Sequence, residues 1–595
     1  MKSKVFKLIF LFCLAVSLFG ANKVLAFSIG DSKNFNVDPS YDYSNRTVVQ
    51  ATVQKIGERA IFYVENDWWN SAANKDSVRA DISNLSDEFD RVIYSRLTSV
   101  FGMEWSPGID NDFKIIILIT KMKEEAGGYF NLADEYPRTE SPYSNEQEMI
   151  YLNGIYLDLN RTKGFLAHEF QHLITFYQKE KLKNLTEETW LNEARSEYAA
   201  TLLGYDNVYS GSNLEKRVNE FLRTPSDSLT EWDGETYDYG SVNIFMQYLV
   251  SHYGENILTE MMKANTVGTA SIDQALANLG YSERFSDVFT NWTISNFVND
   301  CQFGDGQKFC YLNILPYTVF HLSPTATNLV TLKEGTTFSS SNNAKDWTGY
   351  WYELVPSASL PAAANLNLAV SFKIKDTASN FRVPIIVINR EGSKSLRYIM
   401  LVGPLGSDII FNFGTKVKSL ILIPSSQTKF AGSFSNEPPY RFFYTVTVTS
   451  ANQISSLTNI ISDQNSQTGT MTDSNSNPNY ADGSLIRAAG DYRVFVINGK
   501  YKRWIQSPTI FAAYPHFKWQ NIIEVTPVQL NWYQDAWLIR ADGDARVWEV
   551  NGDLTKHWLN MSAEQFSQSG RSWDMVFMIN KTERDLYKTG AQVLK

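Results

Sequence analysis

Two short stretches of this chain combine metal-binding residue types with a residue type that moves protons. The first reads His168-Glu169-Phe-Gln-His172, and the second supplies Glu193 and Glu197 further along. On a helix, His168 and His172 stand one turn apart on the same face, so both imidazoles can reach one ion. Glu169 projects beside them, where a metal-bound water would sit. This is the minimal equipment for zinc-dependent hydrolysis of a peptide bond.

The rarity of histidine makes this pattern specific. The chain has only six histidines, and two of them form the pair. Apolar residues flank the motif on both sides, as is typical of a helix embedded in a core: Phe165, Leu166, Leu173 and Phe176. Polar side chains buried there destabilise the fold unless a cation compensates them. The alternative is a helix with polar residues on an outer face and no bound ion.

The third ligand follows by elimination. A site of the HExxHxxGxxH type needs glycine at 175 and histidine at 178, but Thr175 and Gln178 stand there. The next histidine is His252, which is far along the chain. A carboxylate is therefore the better candidate, and Glu193 lies far enough from the motif for one helix to end and another to return. Two histidines and one glutamate form a known catalytic zinc arrangement that leaves the fourth position to water.

Glu197 is predicted to support a ligand rather than to bind the ion. It lies four residues after Glu193 and so shares its helical face. There it would accept the free N–H of a ligating histidine, His168, and fix the tautomer of that ring. Alternatively, Glu197 is a solvated charge that pairs with Arg195 or a lysine. If Glu193 is not the ligand, Glu197 or Glu188 would replace it.

The run from Thr162 to Tyr198 resembles the gluzincin group of zinc metallopeptidases, which includes thermolysin and aminopeptidase N. Within that group, the HExFQHL form of the motif and the preceding segment Tyr143–Asn153 are most similar to the hyicolysin-type bacterial peptidases. The resemblance covers about residues 60 to 300. It implies an α+β metallopeptidase domain with one catalytic Zn²⁺.

The resemblance also implies roles for individual residues. His168, His172 and Glu193 would bind the zinc ion, and Glu169 would be the catalytic base. Gluzincins in addition use a tyrosine or histidine, late in the domain, to stabilise the tetrahedral intermediate.

Three residues fit that last role. Tyr237 has the Tyr-x-x-Gly spacing to Gly240 that resembles the aminopeptidase N motif, at the start of a predicted helix over Val242–Val250. Tyr239 is its rival, and His252 would match the thermolysin arrangement. Both tyrosines could instead pack against or cap the helix, and His252 could cap the helix end.

The elements around these residues follow from periodicity. β-branched runs predict strands at Ala60–Val64 and Phe113–Ile119, with a helical segment around Asp87–Phe101 between them. From Thr162 to about Val298 the pattern becomes helical. Together these predict an α+β unit with the zinc helix at the junction of its two lobes.

A glycine-rich segment, Gly127–Phe130, predicts an edge strand beside the cleft. Peptidases often hold an extended substrate by adding it to such an edge, so Gly128 and Tyr129 are candidate substrate-binding residues. The alternative is an ordinary strand entry with glycines for the turn.

The start of the chain predicts export. Residues 1–26 combine a basic beginning, an apolar stretch over Leu8–Ala21 and a small-residue cleavage site at Val24-Leu25-Ala26. Cys13 lies in a poor context for lipid attachment, and no later segment is long and apolar enough to span a membrane. We therefore expect a secreted or cell-surface-associated bacterial protein.

Cys301 and Cys310 are the only cysteines outside that segment. In an exported chain, this pair predicts one disulfide that closes a short loop. Metal binding and two separate thiols are the alternatives.

The charge argues against two classes of partner. The formal net charge is −10, and removal of the four lysines of the signal segment leaves 50 basic and 64 acidic residues, a net charge near −14. An acidic exported protein is a poor candidate for binding nucleic acid or anionic membranes.

Composition divides the chain into a predicted signal peptide and five further parts. They are a metallopeptidase domain at 27–312, a β-sandwich at 315–450, a flexible linker at 451–482 and two small β-rich repeats at 483–533 and 534–595. The segment from 27 to about 55 could belong to the mature protein or to a propeptide.

The repeats are visible directly in the sequence. Residues 485–499 recur at 538–552 with ten of fifteen positions identical, and an Asn-Gly pair in each copy predicts a hairpin turn. Seven of the fifteen tryptophans lie between Trp504 and Trp573. They either fill the cores of two small domains or form platforms for a cell-envelope or glycan ligand.

The sequence thus predicts a secreted zinc endopeptidase with a protein or peptide substrate. An aminopeptidase-like exopeptidase is the nearest alternative, although the Gly-x-Met-Glu-Asn signature of aminopeptidase N relatives does not precede His168. A surface adhesin or scaffold with an inactive peptidase unit is a different class of alternative.

Overall fold

The protein is represented by a computed structural model. The structure describes residues 27–157, 160–320, 322, 329–357, 366–375, 379–428, 440–450, 480, 482–488, 493–525, 530, 533–551, 554–569 and 571–594. The predicted signal peptide and almost all of the predicted linker lie outside the described residues.

A six-stranded sheet forms the first part of the fold, in the order β1-β2-β3-β4-β6-β5. β3, β4 and β6 are parallel to one another, while β1, β2 and β5 are antiparallel to their neighbours. The strands are β1 (Ser32–Asn36), β2 (Val48–Ile56), β3 (Ala60–Glu65), β4 (Ile115–Thr120), β5 (Gly128–Phe130) and β6 (Met149–Asn153).

Both faces of this sheet are covered. Every residue of β3, β4 and β6 is buried, as continuous apolar runs such as Ile115–Ile119 require. One face packs on helices, and the other packs on the N-terminal segment through Phe35 and Val37. Residues 27–47 are thus an integral part of the sheet's packing. β5 lies at the edge of the sheet, in the position predicted from its glycines.

Helices form the second part of the fold. They are α1 (Asn66–Ser71), α2 (Lys75–Glu88), α3 (Tyr94–Phe101), α4 (Arg161–Thr175), α5 (Thr189–Leu202), α6 (Asn213–Arg223), α7 (Thr236–Tyr253), α8 (Asn256–Lys263), α9 (Gly268–Asn278), α10 (Phe285–Val298) and α11 (Ile314–Val319). A π-helical segment, Phe89–Ile93, joins α2 to α3, so the helix predicted around Asp87–Phe101 begins a dozen residues earlier. α7 is likewise longer than the predicted Val242–Val250.

After α11 the chain is built of β-strands. They are β7 (Leu329–Leu332), β8 (Thr337–Ala344), β9 (Tyr352–Pro356), β10 (Leu366–Ile374), β11 (Phe381–Arg382), β12 (Pro384–Asn389), β13 (Lys394–Tyr398), β14 (Leu401–Val402), β15 (Leu405–Phe413), β16 (Val417–Leu422), β17 (Ser425–Ser426) and β18 (Tyr440–Ser450). Among the described residues, the strand groups β8-β18-β10-β15 and β9-β16-β12-β13 pair with each other only at Phe413 and Val417. Their apolar faces share one buried cluster, which gives two layers.

The disulfide predicted from sequence is present between Cys301 and Cys310, with Cα atoms 5.1 Å apart. Its loop lies at the junction of the helices and the β-strands. Phe303 and Phe309 from the loop pack in one buried cluster with Ile386 of β12 and Ile421 of β16. The loop therefore helps to connect the two parts.

The C-terminal repeats form two sheets, in the orders β22-β19-β20-β21-β23 and β27-β24-β25-β26-β28, with β29 beside β26. Their elements are β19 (Leu485–Ala488), β20 (Phe495–Asn498), β21 (Tyr501–Trp504), α12 (Pro508–Ala512), β22 (Ile523–Val525), β23 (Gln534–Asp535), β24 (Leu538–Ala541), β25 (Trp548–Val550), β26 (Thr555–Asn560), α13 (Ala563–Gln568), β27 (Val576–Ile579), α14 (Lys581–Leu586), β28 (Lys588–Thr589) and β29 (Val593–Leu594). β23 completes the first sheet, so this sheet reaches two residues beyond 533. Gly552 of the second Asn-Gly pair lies outside the described residues.

The two repeats share a core, which the sequence did not predict. Leu485 and Val496 from the first repeat are buried in the same cluster as Ile539 and Trp548 from the second. Not all tryptophans are used this way, because Trp519, Trp537 and Trp573 are exposed. Among the described helices, none combines the length and apolar composition needed to cross a bilayer.

Candidate metal centre

The central pair of helices brings the two sequence motifs together. α4 carries His168, Glu169 and His172, and α5 returns beside it with Glu193. The fully buried Leu166, Phe170 and Leu173 fix α4 in the main core. This anchoring directs the histidine face of α4 toward α5.

Three ligand atoms converge between these helices. His168 Nε2 lies 3.1 Å from His172 Nε2 and 3.2 Å from Glu193 Oε2, and His172 Nε2 lies 3.5 Å from Glu193 Oε1. Two ligands of a tetrahedral zinc ion, each about 2.0–2.1 Å from the metal, lie about 3.3 Å apart. The observed separations therefore match one face of a zinc tetrahedron. Among the described residues, this is the only group of three or more such ligands close enough to share an ion.

The outer nitrogen of each imidazole faces an oxygen atom of a neighbouring side chain. His168 Nδ1 lies 3.4 Å from Glu197 Oε1, so Glu197 is within reach of the ring that it was predicted to orient. His172 Nδ1 lies 3.2 Å from Ser196 Oγ, whose hydroxyl donates to Gln171 Oε1 at 2.6 Å. If each Nδ1 carries the proton, both Nε2 lone pairs face each other at 3.1 Å. That arrangement needs a cation between them, so the donor set fits zinc.

Arg217 on α6 fixes Glu197. Its guanidinium donates two hydrogen bonds of 2.7 Å to the two oxygens of the Glu197 carboxylate, and Asn213 donates a third at 2.8 Å. Sequence reasoning missed Arg217 and Ser196. Ser196 carried a weak signal, since it lies one helical turn after Glu193, whereas Arg217 reaches the site only through tertiary packing.

The charged groups of the centre shift one another's pKa values. Burial lowers the pKa of His168, but the carboxylates of Glu193, Glu169 and Glu197 outweigh it and raise that pKa to about 9. Burial raises the pKa of Glu197, but Arg217 and His168 outweigh it and lower that pKa to about 2. The two histidines lower the pKa of Glu193 in the same way. The carboxylates are therefore held ionised around a place suited to positive charge.

Glu169 faces the edge strand. Burial is the largest effect that raises its pKa, and the backbone N–H of Phe130 on β5 opposes that effect. A Cβ atom at Gly128 would lie 3.2 Å from Glu169 Cγ and 2.6 Å from the Tyr151 carbonyl oxygen. Glycine at 128 thus allows the strand to approach Glu169. A raised pKa suits a carboxylate that must accept and return a proton.

The two predicted substrate-binding residues, Gly128 and Tyr129, face opposite sides of the sheet. Gly128 lies against Glu169, but the Tyr129 side chain is buried on the other face, stacked on Tyr151 with ring centroids 4.1 Å apart. Successive side chains of a strand point to opposite faces, which explains the difference. Only the backbone of Tyr129 remains available for the predicted role.

The three candidates for the oxyanion-stabilising role have different surroundings. The charges that raise the pKa of Tyr239 include Glu193 and Glu197, whereas those that raise the pKa of Tyr237 belong to Asp227 and its acidic neighbours. Arg217, which binds Glu197, also lies over the Tyr239 ring with its guanidinium carbon 4.6 Å from the ring centroid, so Tyr239 lies beside the candidate centre. His252 lies about 20 Å further along α7 and is 2.8 Å from the Cys310 carbonyl oxygen, away from the centre.

Comparisons with known proteins do not identify a family. No family model matches the chain, and no curated protein matches it. The solved structures include the pre-peptidase C-terminal domain of a collagenase from Bacillus anthracis, with 12% identity, 20% of this chain and 93% of that chain covered, and a TM-score of 0.14. The VP2 subviral particle of infectious bursal disease virus has 10% identity, 19% and 32% coverage and a TM-score of 0.12. A family GH115 4-O-methyl-α-glucuronidase with specificity for decorated arabinogalactans has 8% identity, 57% and 52% coverage and a TM-score of 0.13. Scores this low carry no argument about fold or function.

Proposed function

We propose that this chain is a secreted zinc-dependent endopeptidase with a gluzincin-like active site. The observation that carries the proposal is the convergence of His168 Nε2, His172 Nε2 and the Glu193 carboxylate at the separations of zinc ligands. Glu169, one residue after the first histidine, supplies the base. A structural ion site would not need a fourth, acidic side chain beside an open position.

In the proposed mechanism, each residue of the site has its own role in hydrolysis. Zinc, when bound, lowers the pKa of a water molecule and polarises the substrate carbonyl. Glu169 accepts the proton of the attacking water and delivers it to the leaving amine. Tyr239 donates a hydrogen bond to the oxygen on which negative charge develops. Glu197 and Ser196 hold the two imidazoles in the tautomer that keeps Nε2 free for the metal.

The edge strand supports cleavage within a chain. In the part of the chain that the structure describes, β5 is the last strand of its sheet, and an extended peptide could add to its outer edge beside Glu169. Such a site binds the backbone on both sides of the scissile bond and does not require a free amino terminus. This favours an endopeptidase over an aminopeptidase.

The C-terminal repeats are proposed to attach the enzyme to a cell-envelope or glycan ligand. Trp519 is 59% exposed and stacks on Phe511, and Trp573 is 47% exposed and packs on Phe566. The two repeats thus present an aromatic ring at corresponding places. Loss of binding to purified cell-wall glycan in the full-length variant Trp519→Ala, Trp573→Ala would support this attachment, and unchanged binding would oppose it.

The decisive experiment measures metal content and activity together. Purified protein should contain about one zinc per chain and cleave casein, and a chelator should abolish cleavage until zinc is returned. Glu169→Gln should abolish turnover while zinc content stays the same, whereas Glu193→Ala should lower zinc affinity sharply. Glu125→Gln, in an exposed loop, is the matched control and should leave both unchanged. Full activity of Glu169→Gln, or wild-type protein without zinc, would refute the proposal.

A further inference from the structure

The loop between β1 and β2 reaches the candidate active site. Its Tyr41 is anchored on the β4–β5 connection, because the Tyr41 carbonyl accepts the Lys123 N–H at 2.9 Å. Lys123 Nζ donates to the Ser40 carbonyl at 2.6 Å, and Asp42 forms an antiparallel bridge with Met122. The loop is therefore fixed to the segment that leads into the edge strand.

Asp42 makes this loop rigid. It is buried, and its carboxylate accepts the Ser44 N–H at 3.0 Å and the Arg46 N–H at 2.8 Å. The Arg46 guanidinium also donates to Asp42, at 2.7 Å, and to Glu65 on β3. A loop held by a buried charge pair and its own backbone presents its outer side chains with little conformational freedom.

Tyr41 is the outermost ring of a three-tyrosine stack. Its ring centroid lies 4.5 Å from that of Tyr129, at an interplanar angle of 16°, and Tyr129 in turn stacks on Tyr151. The two inner hydroxyls form hydrogen bonds within the protein. The Tyr129 hydroxyl accepts the Asp38 N–H, and the Tyr151 hydroxyl donates to the Asp134 carboxylate. Within the described residues, the Tyr41 hydroxyl has no hydrogen-bond partner, and the side chain is 38% exposed.

The stack holds Tyr41 against the edge strand β5, which borders the candidate centre. Tyr129 lies on the edge strand between Gly128 and Phe130, and both of these residues adjoin Glu169. Burial raises the pKa of Tyr41, and the charges of Glu169 and Glu193 add to that effect. Tyr41 in turn contributes to the raised pKa of Tyr239. One phenol thus approaches the centre from the sheet, while Tyr239 approaches it from α7.

We propose that the Tyr41 hydroxyl donates a hydrogen bond to a backbone carbonyl of a peptide that lies along β5. This inference rests on the proposed peptidase function and names a substrate-contacting residue for it. A carbonyl away from the scissile bond carries the same charge in the ground state and in the transition state. Its hydrogen bond therefore contributes to binding both states, and its loss raises KM without lowering kcat.

The variant Tyr41→Phe tests this with the stack preserved. Removal of one neutral hydrogen bond should raise KM for a quenched casein-derived peptide about threefold to tenfold and leave kcat unchanged. Tyr43→Phe is the matched control, because Tyr43 lies in the same loop but faces Arg46 and Lys121, whose cations are 4.9 and 4.3 Å from its ring. The control should match the wild type. An unchanged KM for Tyr41→Phe, or a fall in kcat at constant KM, would overturn the assignment.

A binding measurement separates this inference from the proposed function. In a Glu169→Gln background, a fluorescein-labelled casein peptide should bind about threefold to tenfold more weakly when Tyr41 is also changed to phenylalanine. If the wild type cleaves peptides but this weakening and the rise in KM are absent, Tyr41 loses its role and the peptidase stands. If the wild type cleaves nothing, the peptidase proposal falls. Weaker peptide binding would then still support Tyr41, and equal or absent binding would refute it.

Discussion

Arg217 and Glu197 form a bidentate ion pair in the interior, with Nε and Nη2 each 2.7 Å from one carboxylate oxygen. The side chains are 9% and 2% exposed. Arg217 also lies over the ring of Tyr239, with its guanidinium carbon 4.6 Å from the ring centroid. One cation therefore contacts both the carboxylate next to His168 and the tyrosine beside the candidate metal centre.

Removal of Arg217 should destabilise the protein strongly. In Arg217→Met the Glu197 charge stays buried without its main partner, which typically destabilises a fold by about 3–5 kcal/mol. The double variant Glu197→Gln, Arg217→Met should be more stable than Arg217→Met alone, since it removes the buried Glu197 charge, while the loss of the Arg217–Glu220 pair is common to both variants. Urea unfolding of the three proteins checks this, and equal stability of the single and double variants would contradict it.

Glu197 should also control the metal. Glu197→Gln keeps the size of the side chain but weakens the acceptor for the His168 Nδ1–H, so zinc affinity should fall about 10-fold to 100-fold. Competition with a chromophoric chelator measures the affinity. Glu220→Gln is the control, because Glu220 binds the other side of Arg217 without touching a histidine. A similar loss of affinity in the control would assign the effect to Arg217 and not to Glu197.

The two tyrosines of α7 should differ in activity. Tyr239→Phe should lower kcat about 100-fold to 1000-fold, since one donor to the developing oxyanion is lost, while its ring stays between Arg217 and Trp232. Tyr237→Phe should change kcat less than about twofold, because Tyr237 faces Asp227 and its neighbours. Steady-state kinetics of both variants and the wild type on one peptide substrate measure these changes in kcat. A large loss in Tyr237→Phe with a normal Tyr239→Phe would restore the assignment suggested by spacing.

Sequence reasoning located the parts of the site that depend on local geometry. His168 and His172 share a face because of helical periodicity, and Glu197 follows Glu193 by the same rule. Arg217 could not be found this way, because it is brought to Glu197 only by the packing of α6 on α5. The proposal of Tyr239 over Tyr237 likewise rests on the packing of Arg217 over the Tyr239 ring, which spacing alone does not predict.

For the fold as well, local sequence patterns predicted individual elements, whereas tertiary packing was visible only in the structure. Continuous apolar runs indicated β3 and β4, and glycines indicated the edge strand β5. Alternation alone did not show which face of β5 meets Glu169, because both faces of the sheet are covered, so the burial of the Tyr129 side chain on the opposite face emerged only from the structure. The internal repeat indicated two similar β units, but the residues of their shared core, such as Ile539, read equally well as the core of one unit.

The disulfide should stabilise the junction between the helices and the β-strands without influencing the metal. The loop it closes is short, so Cys301→Ser, Cys310→Ser should lower the free energy of unfolding by about 2–3 kcal/mol. Phe303 and Phe309 would lose their fixed position against Ile386. Zinc affinity should stay within about twofold of the wild type, because the loop is hydrogen-bonded to α7 and α10, through Tyr248 and Ser295, and not to the helices that carry the candidate ligands. Differential scanning calorimetry and chelator competition test the two parts, and a large fall in zinc affinity would show that the junction and the centre are coupled.

Glu148 should make stability depend on pH. It is buried on the segment that leads into β6, where its carboxylate accepts the Ile109 N–H at 2.5 Å and fills the space that a Cβ atom at Gly108 would need. Burial, aided by the charge of Asp110 and opposed by the Ile109 N–H, raises the pKa of Glu148 to about 8. The native protein therefore keeps a proton here that the unfolded chain, with a pKa of about 4.3, has already released.

The sign of the effect follows from linkage. Between about pH 4.3 and 8 the folded state binds more protons than the unfolded state, so the free energy of unfolding should fall as pH rises through this window and level off above it. Glu148→Gln keeps an acceptor for the Ile109 N–H but cannot ionise. Its stability should decline less between pH 5.5 and 8, with the remaining slope due in part to Glu135, whose pKa burial also raises. Urea unfolding at the two pH values measures this, and an unchanged slope in Glu148→Gln would mean that the buried carboxyl is not the group that titrates.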